Sequence, residues 1–144
     1  MKFNSQICTT RVRSERLLAL GLKKETADMS HTAIVRNHKV EYREDCSTAK
    51  GMDIPAWSLS RLLCMLSSVI PLSEEFPSFD THAFLRLHTV AVSYEYYDYD
   101  GDERILVSFN GNGFFAAVVD AIEWLIKEGY FNKEYLNDDH SRNG

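Results

Sequence analysis

The chain has 144 residues, 44% of them hydrophobic and 12% aromatic, which suffices for the core of one ordinary domain and excludes a disordered chain. No apolar run approaches the roughly 18 residues that span a bilayer, and charges stand where a signal peptide would carry its apolar region. We therefore expect a single cytoplasmic domain over 1–144, with a loose leader at 1–9 and a frayed tail at 136–144.

The net charge of −5 is distributed unevenly, because residues 1–72 carry +4 and residues 73–144 carry −9. This asymmetry is compatible with a basic surface for nucleic acid, with self-association through opposite charges, or with neither. The acidic sequence pI near 5.5 and the lack of aromatic residues among the basic ones count against nucleic acid. The candidate nucleic-acid contacts are Arg11, Arg13, Arg16, Lys23 and Lys24.

The first third of the chain predicts one helix and a doubtful pair of strands. Apolar spacing from Val12 to Leu20 predicts a helix near 10–20 that Gly21 ends. Two short strands around an Asn37-His38 turn would fit 31–43, although the pattern does not decide whether these residues are strands. The polar segment 44–52 is typical of a loop.

A second helix is predicted near 58–67, where leucines follow the helical repeat. Pro55 suits the start of this helix and Ser58 suits its cap. Trp57 is interpreted as core packing, with an exposed binding anchor as the alternative. The connector 67–81 contains two prolines and is expected to be irregular, with Phe76 and Phe79 attaching it to the core.

Alternating apolar residues predict strands near 83–89, 90–97 and 103–109, the first two either separate or parts of one bent strand. The DYDGD sequence at 98–102 predicts a hairpin turn. An amphipathic helix follows near 113–128, with Asn112 as its expected cap, Glu123 on its polar side and Gly129 at its end. The expected fold is α+β, an antiparallel sheet of about three to five strands covered on one face by about three helices.

Few sequence motifs point to chemistry. Cys8, Cys46 and Cys64 are odd in number and far apart, which favours reduced thiols over a disulfide framework or a zinc site. Cys64 is expected to be a small buried residue of its helix. No cysteine, histidine or carboxylate pair carries a local catalytic signature, so we expect no catalytic residue and no cofactor.

Two motifs resemble binding sites only in part. DYDGD places acids at positions one, three and five of a calcium loop, but its sixth residue is Glu103 rather than glycine, and we expect no metal. Gly111, Gly113 and Ala116 match a G-x-G-x-x-A phosphate fingerprint, but too few residues follow to complete the βαβ unit that the motif requires.

The most suggestive functional feature is the tyrosine run at the end of the second predicted strand. Alternation assigns Tyr97 and Tyr99 to the opposite face from Tyr94, or to the hairpin tip. Exposed tyrosines offer large contact area at low entropic cost, which suits a protein interface. The alternative is that tyrosine is simply a favourable strand residue.

Three segments together resemble a family of small uncharacterised proteins from phages and conjugative elements of Bacteroides-like gut bacteria: SERLLALGLKKETADM, IPAWSLSRLLCML and AVVDAIEWLIKEGYF. The resemblance covers under half of the chain and implies no activity for any residue. It favours a mobile-element accessory protein and implies nothing further. Our first hypothesis is a non-enzymatic accessory protein that acts through protein contacts, either with a partner or as a homodimer with a sheet edge or Tyr97 and Tyr99 at the interface. A nucleic-acid-associated protein is the alternative, and no membrane association is expected.

Overall fold

The computed structural model describes residues 6–47 and 54–138, with the backbone alone at 32–34 and 42–47. The architecture is α+β with antiparallel strands, as the sequence predicts. In chain order the elements are α1 (Arg11–Ala19), a 3-10 turn (Lys24–Thr26), β1 (Met29–Arg36), β2 (Lys39–Ser47), β3 (Ile54–Ala56), α2 (Leu59–Met65), β4 (Val69–Pro71), β5 (His82–Leu87), β6 (Val92–Tyr97), β7 (Glu103–Phe109), α3 (Phe114–Glu128) and a 3-10 turn (Lys133–Tyr135).

The described chain divides into two compact units. The first unit holds the described residues up to Met65 and from Lys133 onward, and the second unit is Leu66–Asn132. Each unit has its own sheet, of order β2-β1-β3 in the first and β4-β5-β6-β7 in the second. The single sheet expected from the sequence is therefore corrected to two, while the expectation of a single domain over 1–144 stays a prediction.

The doubtful segment 31–43 is a β-hairpin. β1 and β2 pair antiparallel, and the turn residues Asn37 and His38 have φ of 51° and 62°. Positive φ at both central residues is the type I′ geometry, whose twist matches that of the strands. β2 runs on to Ser47, into the segment expected to be a loop, and residues 48–53 lie outside the described part.

Thr10 caps the start of helix α1, because its side chain accepts from the backbone N–H of Arg13. Gly21, with φ of 101°, follows the C-cap residue Leu20 and turns the chain away from the helix. Leu17 is fully buried, but Val12 is exposed, contrary to its predicted place on the apolar side. Five residues at about 100° each place Val12 roughly 140° around the helix from Leu17, outside a narrow buried stripe.

Trp57 is a core residue, as predicted. Its side chain is buried, its indole Nε1 donates to Thr26 Oγ1 at 2.9 Å, and its backbone N–H donates to Thr9 Oγ1 at 3.1 Å. The backbone N–H of Thr9 in turn donates to the Trp57 carbonyl at 2.9 Å. Thr9 and Thr26, which are distant in sequence from Trp57, therefore pair with its indole N–H and with both of its backbone polar groups.

The sequence predicted a loose leader at 1–9 and a frayed tail at 136–144, but residues at the inner end of each segment are buried. Cys8 and Thr9 are buried, so the described end of the leader is part of the first unit. Leu136 is also buried, and its backbone bridges to Leu22. Apolar burial explains both differences, and residues 1–5 and 139–144 lie outside the described part.

Helix α2 starts one residue after Ser58, whose hydroxyl accepts from the backbone N–H of Arg61 at 3.2 Å. Asp28 fixes this cap by accepting from the backbone N–H and the hydroxyl of Ser58. Pro55 lies in β3 rather than at the helix start. Cys64 is exposed, which corrects its expected burial, because Leu62 and Met65 occupy the buried side of this short helix.

The second unit is a meander of four antiparallel strands. β4 lies within the connector that was expected to be irregular, and it pairs with the start of β5. β5 and β6 are separate strands, because a turn closed by the hydrogen bond from His88 N–H to the Ala91 carbonyl joins them. A bulge between Tyr94 and Glu95 then shifts the register of β6 on β7.

Helix α3 packs on β6 and β7, which confirms the predicted helix and hairpin contact. The ring centroid of Trp124 lies 6.2 Å from that of Tyr94 and 5.8 Å from that of Phe109. The sequence predicted that all the helices cover one face of the same sheet. Instead, α1 contacts β3, which belongs to the sheet of the first unit. The apolar stripe of α3 is buried, at Ala117, Val118, Val119, Ala121, Ile122 and Leu125.

The ends of α3 are set by two glycines. Gly113, with φ of 102°, occupies the cap position expected for Asn112 and makes no side-chain cap hydrogen bond. Gly129 ends the helix in the left-handed conformation, as predicted. Glu123 is buried rather than on the polar side, because it lies one residue beyond Ile122 at the border of a wide apolar stripe.

Candidate interaction surface

The end of β6 carries the tyrosines that the sequence singles out. Tyr94 faces α3, and alternation along the strand places Glu95 on the reverse face of the sheet. Tyr97 is also on the reverse face, where its ring centroid lies 5.6 Å from that of Phe84. Its side chain is 43% exposed, so the ring is available to a binding partner.

Tyr99 lies beyond the strand, in the turn between β6 and β7, and is 57% exposed. Its ring centroid is 4.6 Å from that of Phe79 in an edge-to-face arrangement. Phe79 is 84% exposed, which corrects the expectation that it attaches the connector to the core. We call Phe79, Tyr97 and Tyr99 the aromatic surface.

Hydrogen bonds from side chains and main chain of the connector hold it against the end of β6 and the turn that follows. The backbone N–H of Tyr97 donates to Asp80 Oδ2 at 3.0 Å, and Ser78 Oγ donates to the Tyr97 carbonyl at 2.5 Å. The backbone N–H of Tyr99 donates to the Pro77 carbonyl at 3.0 Å. These bonds hold the chain on both sides of Phe79, whose ring lies beside Tyr99.

Asp98 organises the turn that carries Tyr99. Its Oδ1 accepts from the backbone N–H of Asp100 at 2.9 Å and of Asp102 at 3.0 Å, while its Oδ2 accepts from Arg104 Nε at 2.8 Å. The Arg104 hydrogen bond, followed by the backbone hydrogen bond from Asp102, lowers the pKa of Asp98 below its ordinary value. Both oxygens of Asp98 therefore accept hydrogen bonds within the turn, instead of pointing at a shared metal position as calcium ligands do.

The reverse face of the sheet holds a polar network around Glu95, whose side chain is 4% exposed. Glu95 Oε2 accepts from Ser93 Oγ at 2.6 Å and lies 3.2 Å from His88 Nε2. Arg86 Nη1 lies 3.4 Å from Glu95 Oε1 and 2.7 Å from Glu103 Oε2. The Glu103 hydrogen bond raises the pKa of Arg86, and the reciprocal bond lowers the pKa of Glu103.

This network contains a serine, a histidine and a glutamate but lacks triad geometry. His88 Nε2 lies 3.1 Å from Ser93 Oγ and also makes the contact with Glu95. In a triad the imidazole stands between the two, using one nitrogen for each. Here Ser93 donates directly to Glu95, so the network stabilises a buried carboxylate.

Cys8 and His31 lie near each other, with Cys8 Sγ 3.9 Å from His31 Nε2. Both are buried, but His31 Nε2 is 2.7 Å from the Thr9 carbonyl, which requires that nitrogen to carry a proton and donate. Cys8 is disulfide-bonded, contrary to the expectation of reduced thiols, and Cys64 is free. A thiolate nucleophile with a histidine base is not assembled here.

The glycine motif that resembles a phosphate fingerprint has an acidic side chain beside it. A Cβ added at Gly111 would lie 3.2 Å from Asp120 Oδ2, so a negative charge already stands beside the glycine motif, where it opposes a bound phosphate. Within residues 6–47 and 54–138 no group of three or more histidines, cysteines or acids is placed to hold a metal ion.

The basic residues of the first unit follow α1 and the segment after it. Arg11 pairs with Glu15 one turn along the helix, at 3.4 Å. The remaining candidates, Arg13, Arg16, Lys23 and Lys24, range from partly buried to exposed. Nucleic-acid contact through these residues stays a prediction of the sequence.

The second unit is strongly acidic. Leu66–Asn132 contains three Lys or Arg and eleven Asp or Glu, a net charge of −8. Both arginines, Arg86 and Arg104, are in ion pairs with acids of the same unit. The exposed acids nearest in sequence to the aromatic surface are Glu74, Glu75, Asp100, Asp102 and Glu103.

Sequence reasoning found two of the three aromatic residues and missed the third. Phe79 follows two prolines and a phenylalanine, and composition alone does not distinguish an aromatic that packs inward from one that packs on a neighbouring loop. The Glu95 network was also missed. A signal was present in the alternation. Arg86 in β5 and His88 just after it are two positions apart, as are Ser93 and Glu95 in β6, so each pair is expected on one face of the sheet.

No helix in the described part of the chain is both long enough and apolar enough to cross a membrane. Comparison of the chain with known protein families, with curated proteins and with solved structures finds no match.

Proposed function

We propose that this protein is a non-enzymatic accessory protein of phage or mobile-element origin that acts in the cytoplasm by binding another protein through the aromatic surface. The observation that carries the proposal is the exposure of Phe79, Tyr97 and Tyr99 at one end of the four-stranded sheet. Clustered exposed aromatic side chains are typical of interface centres, where they supply contact area with little loss of rotamer freedom.

The origin rests on the resemblance of three sequence segments, and the mode of action rests on the surface. The turn that presents Tyr99 is fixed by the Asp98 hydrogen bonds, and Phe79 is fixed by the bonds of Ser78 and Asp80. A surface built on a fixed backbone loses little conformational entropy when a partner binds. This supports binding as its role.

The test is affinity capture with quantitative mass spectrometry, using the protein, a Phe79→Ser/Tyr99→Ser variant and a Val12→Ser control. Val12 is exposed and belongs to the other unit, so its replacement removes apolar surface without touching the aromatic surface. We expect a partner recovered with the protein and the control and depleted about tenfold or more with the double variant. Equal recovery with the double variant would contradict the proposal.

A further inference from the structure

We infer that the partner presents a basic, arginine-containing protein segment, an inference that rests on the proposed function and names the chemistry of its partner. The aromatic surface belongs to a unit with a net charge of −8. An acidic field raises the local concentration of cationic segments and repels the phosphates of nucleic acids and anionic lipids.

The local charge balance strengthens this choice. Glu103 stands opposite Tyr97 on β7, and its Oε1 lies 3.4 Å from the Tyr97 hydroxyl. Asp100 and Asp102 follow Tyr99 in the turn, on either side of Gly101, and both are exposed. A cationic side chain that packs on the outside of the aromatic surface would therefore have carboxylates close to it.

The aromatic rings select arginine over lysine. A guanidinium stacks on the face of an aromatic ring and at the same time forms paired hydrogen bonds with a carboxylate, whereas an ammonium acts as a compact point charge. Phe79 has no hydrogen-bonding group of its own, and its ring is 84% exposed beside Tyr99. A guanidinium stacked on the exposed face of one of these rings would keep its N–H donors free for a carboxylate.

The two arginines of this unit do not stack on the aromatic surface. Arg86 bridges Glu95 and Glu103, and Arg104 is held by Asp98. Both guanidinium groups are therefore committed to structural pairs within the sheet and its turn. Leu66–Asn132 contains no further arginine, so we assign the stacked guanidinium to the partner.

The experiment uses fluorescence anisotropy of labelled peptides with the full chain. Three peptides of equal length are compared, one rich in arginine, one with lysine at the same positions and one with glutamate. We expect the arginine peptide to bind about two- to fivefold more tightly than the lysine peptide for each stacked side chain, and the glutamate peptide not to bind. Affinity should fall as salt is raised.

Two pairs of variants make the result specific. Phe79→Ala/Tyr99→Ala should weaken arginine-peptide binding about five- to tenfold and remove the preference over lysine, whereas Val12→Ala should change neither. Asp100→Asn/Asp102→Asn should weaken binding of both basic peptides, whereas Glu128→Gln, an exposed acid of α3, should not.

Three results would overturn the inference. The first is equal binding of the two basic peptides unaffected by Phe79→Ala/Tyr99→Ala, which indicates charge attraction alone. The second is association of the protein with itself that this variant abolishes, which places a second copy on the surface. The third is absence of basic-peptide binding while the capture experiment still depends on Phe79 and Tyr99, which leaves the proposed function standing without a basic partner.

Discussion

Arg104 Nε donates to Asp98 Oδ2 at 2.8 Å and thereby joins the start of β7 to the end of β6. The other oxygen of Asp98 accepts two backbone N–H groups of the turn. Because these partners lower the pKa of Asp98 below 3.8, the folded state favours the ionised carboxylate. The stability that it contributes is present above about pH 4 and is lost as the pH falls through the lowered pKa.

Replacing Asp98 with asparagine should remove this contribution. We expect Asp98→Asn to lower the melting temperature at pH 7 by about 3–6 °C, and the difference from the original protein to shrink at pH 3. Thermal unfolding followed by circular dichroism at pH 7, 5 and 3 measures both effects. Asp100→Asn is the control because Asp100 is exposed and donates to Asp98 only through its backbone. A difference that persists unchanged at pH 3 would contradict the argument.

The turn at 98–102 and the strands on either side of it were predicted from the sequence. DYDGD identifies a turn by composition, and the alternation on each side identifies β6 and β7. The amphipathic pattern likewise identifies α3 and its packing on that hairpin. These elements are local, since each depends on residues within a few positions of one another.

Features that depend on distant residues were not predicted. β3 and β4 are three residues each, too short for a periodic signal, and each is held by a strand elsewhere in the chain. Each of them adds an edge strand to one of the two sheets. In the same way, Phe79 is placed by hydrogen bonds from Ser78 and to Asp80 that involve Tyr97, eighteen positions away, and no local pattern reports such contacts.

Replacing Trp57 with phenylalanine should destabilise the first unit. The indole fills a buried site, and its Nε1 is the hydrogen-bond donor to Thr26, so the substitution leaves both a cavity and a buried hydroxyl without its donor. We expect a loss of about 2–4 kcal/mol in the free energy of unfolding, measured by urea denaturation. Val12→Ala, at an exposed site, should cost less than about 0.5 kcal/mol. Equal effects of the two substitutions would show that the tryptophan is not a core anchor.

The disulfide at Cys8 predicts a specific thiol count. Protein purified without reductant and unfolded in denaturant should show one reactive thiol, that of Cys64, and Cys64→Ser should show none. After reduction the count should rise to three, the number of cysteines in the sequence. Titration with a thiol-reactive chromophore measures the counts, and peptide mapping without reduction identifies the residue bonded to Cys8. Three reactive thiols before reduction would show that Cys8 is a free thiol in solution.

Tyr94 should make the second unit sensitive to alkaline pH. Its hydroxyl donates to the Ser67 carbonyl at 2.7 Å beneath α3, and burial raises its pKa well above the ordinary value of 10.0. Since the unfolded chain releases this proton first, the stability associated with Tyr94 is fully present below pH 10 and declines as the pH rises above that value. The original protein should therefore lose more stability between pH 9 and 11 than Tyr94→Phe does.

At neutral pH the same substitution removes one buried hydrogen bond, and we expect it to cost about 0.5–1.5 kcal/mol. Urea denaturation of both proteins at pH 7, 9 and 11 separates the hydrogen bond, which contributes at every pH, from the ionisation, which contributes only at the highest. Tyr97→Phe is the matched control, because Tyr97 is exposed and lies on the reverse face of the same strand. If Tyr94→Phe and Tyr97→Phe showed the same change in stability from pH 9 to 11, the alkaline sensitivity would not arise from the tyrosine beneath α3.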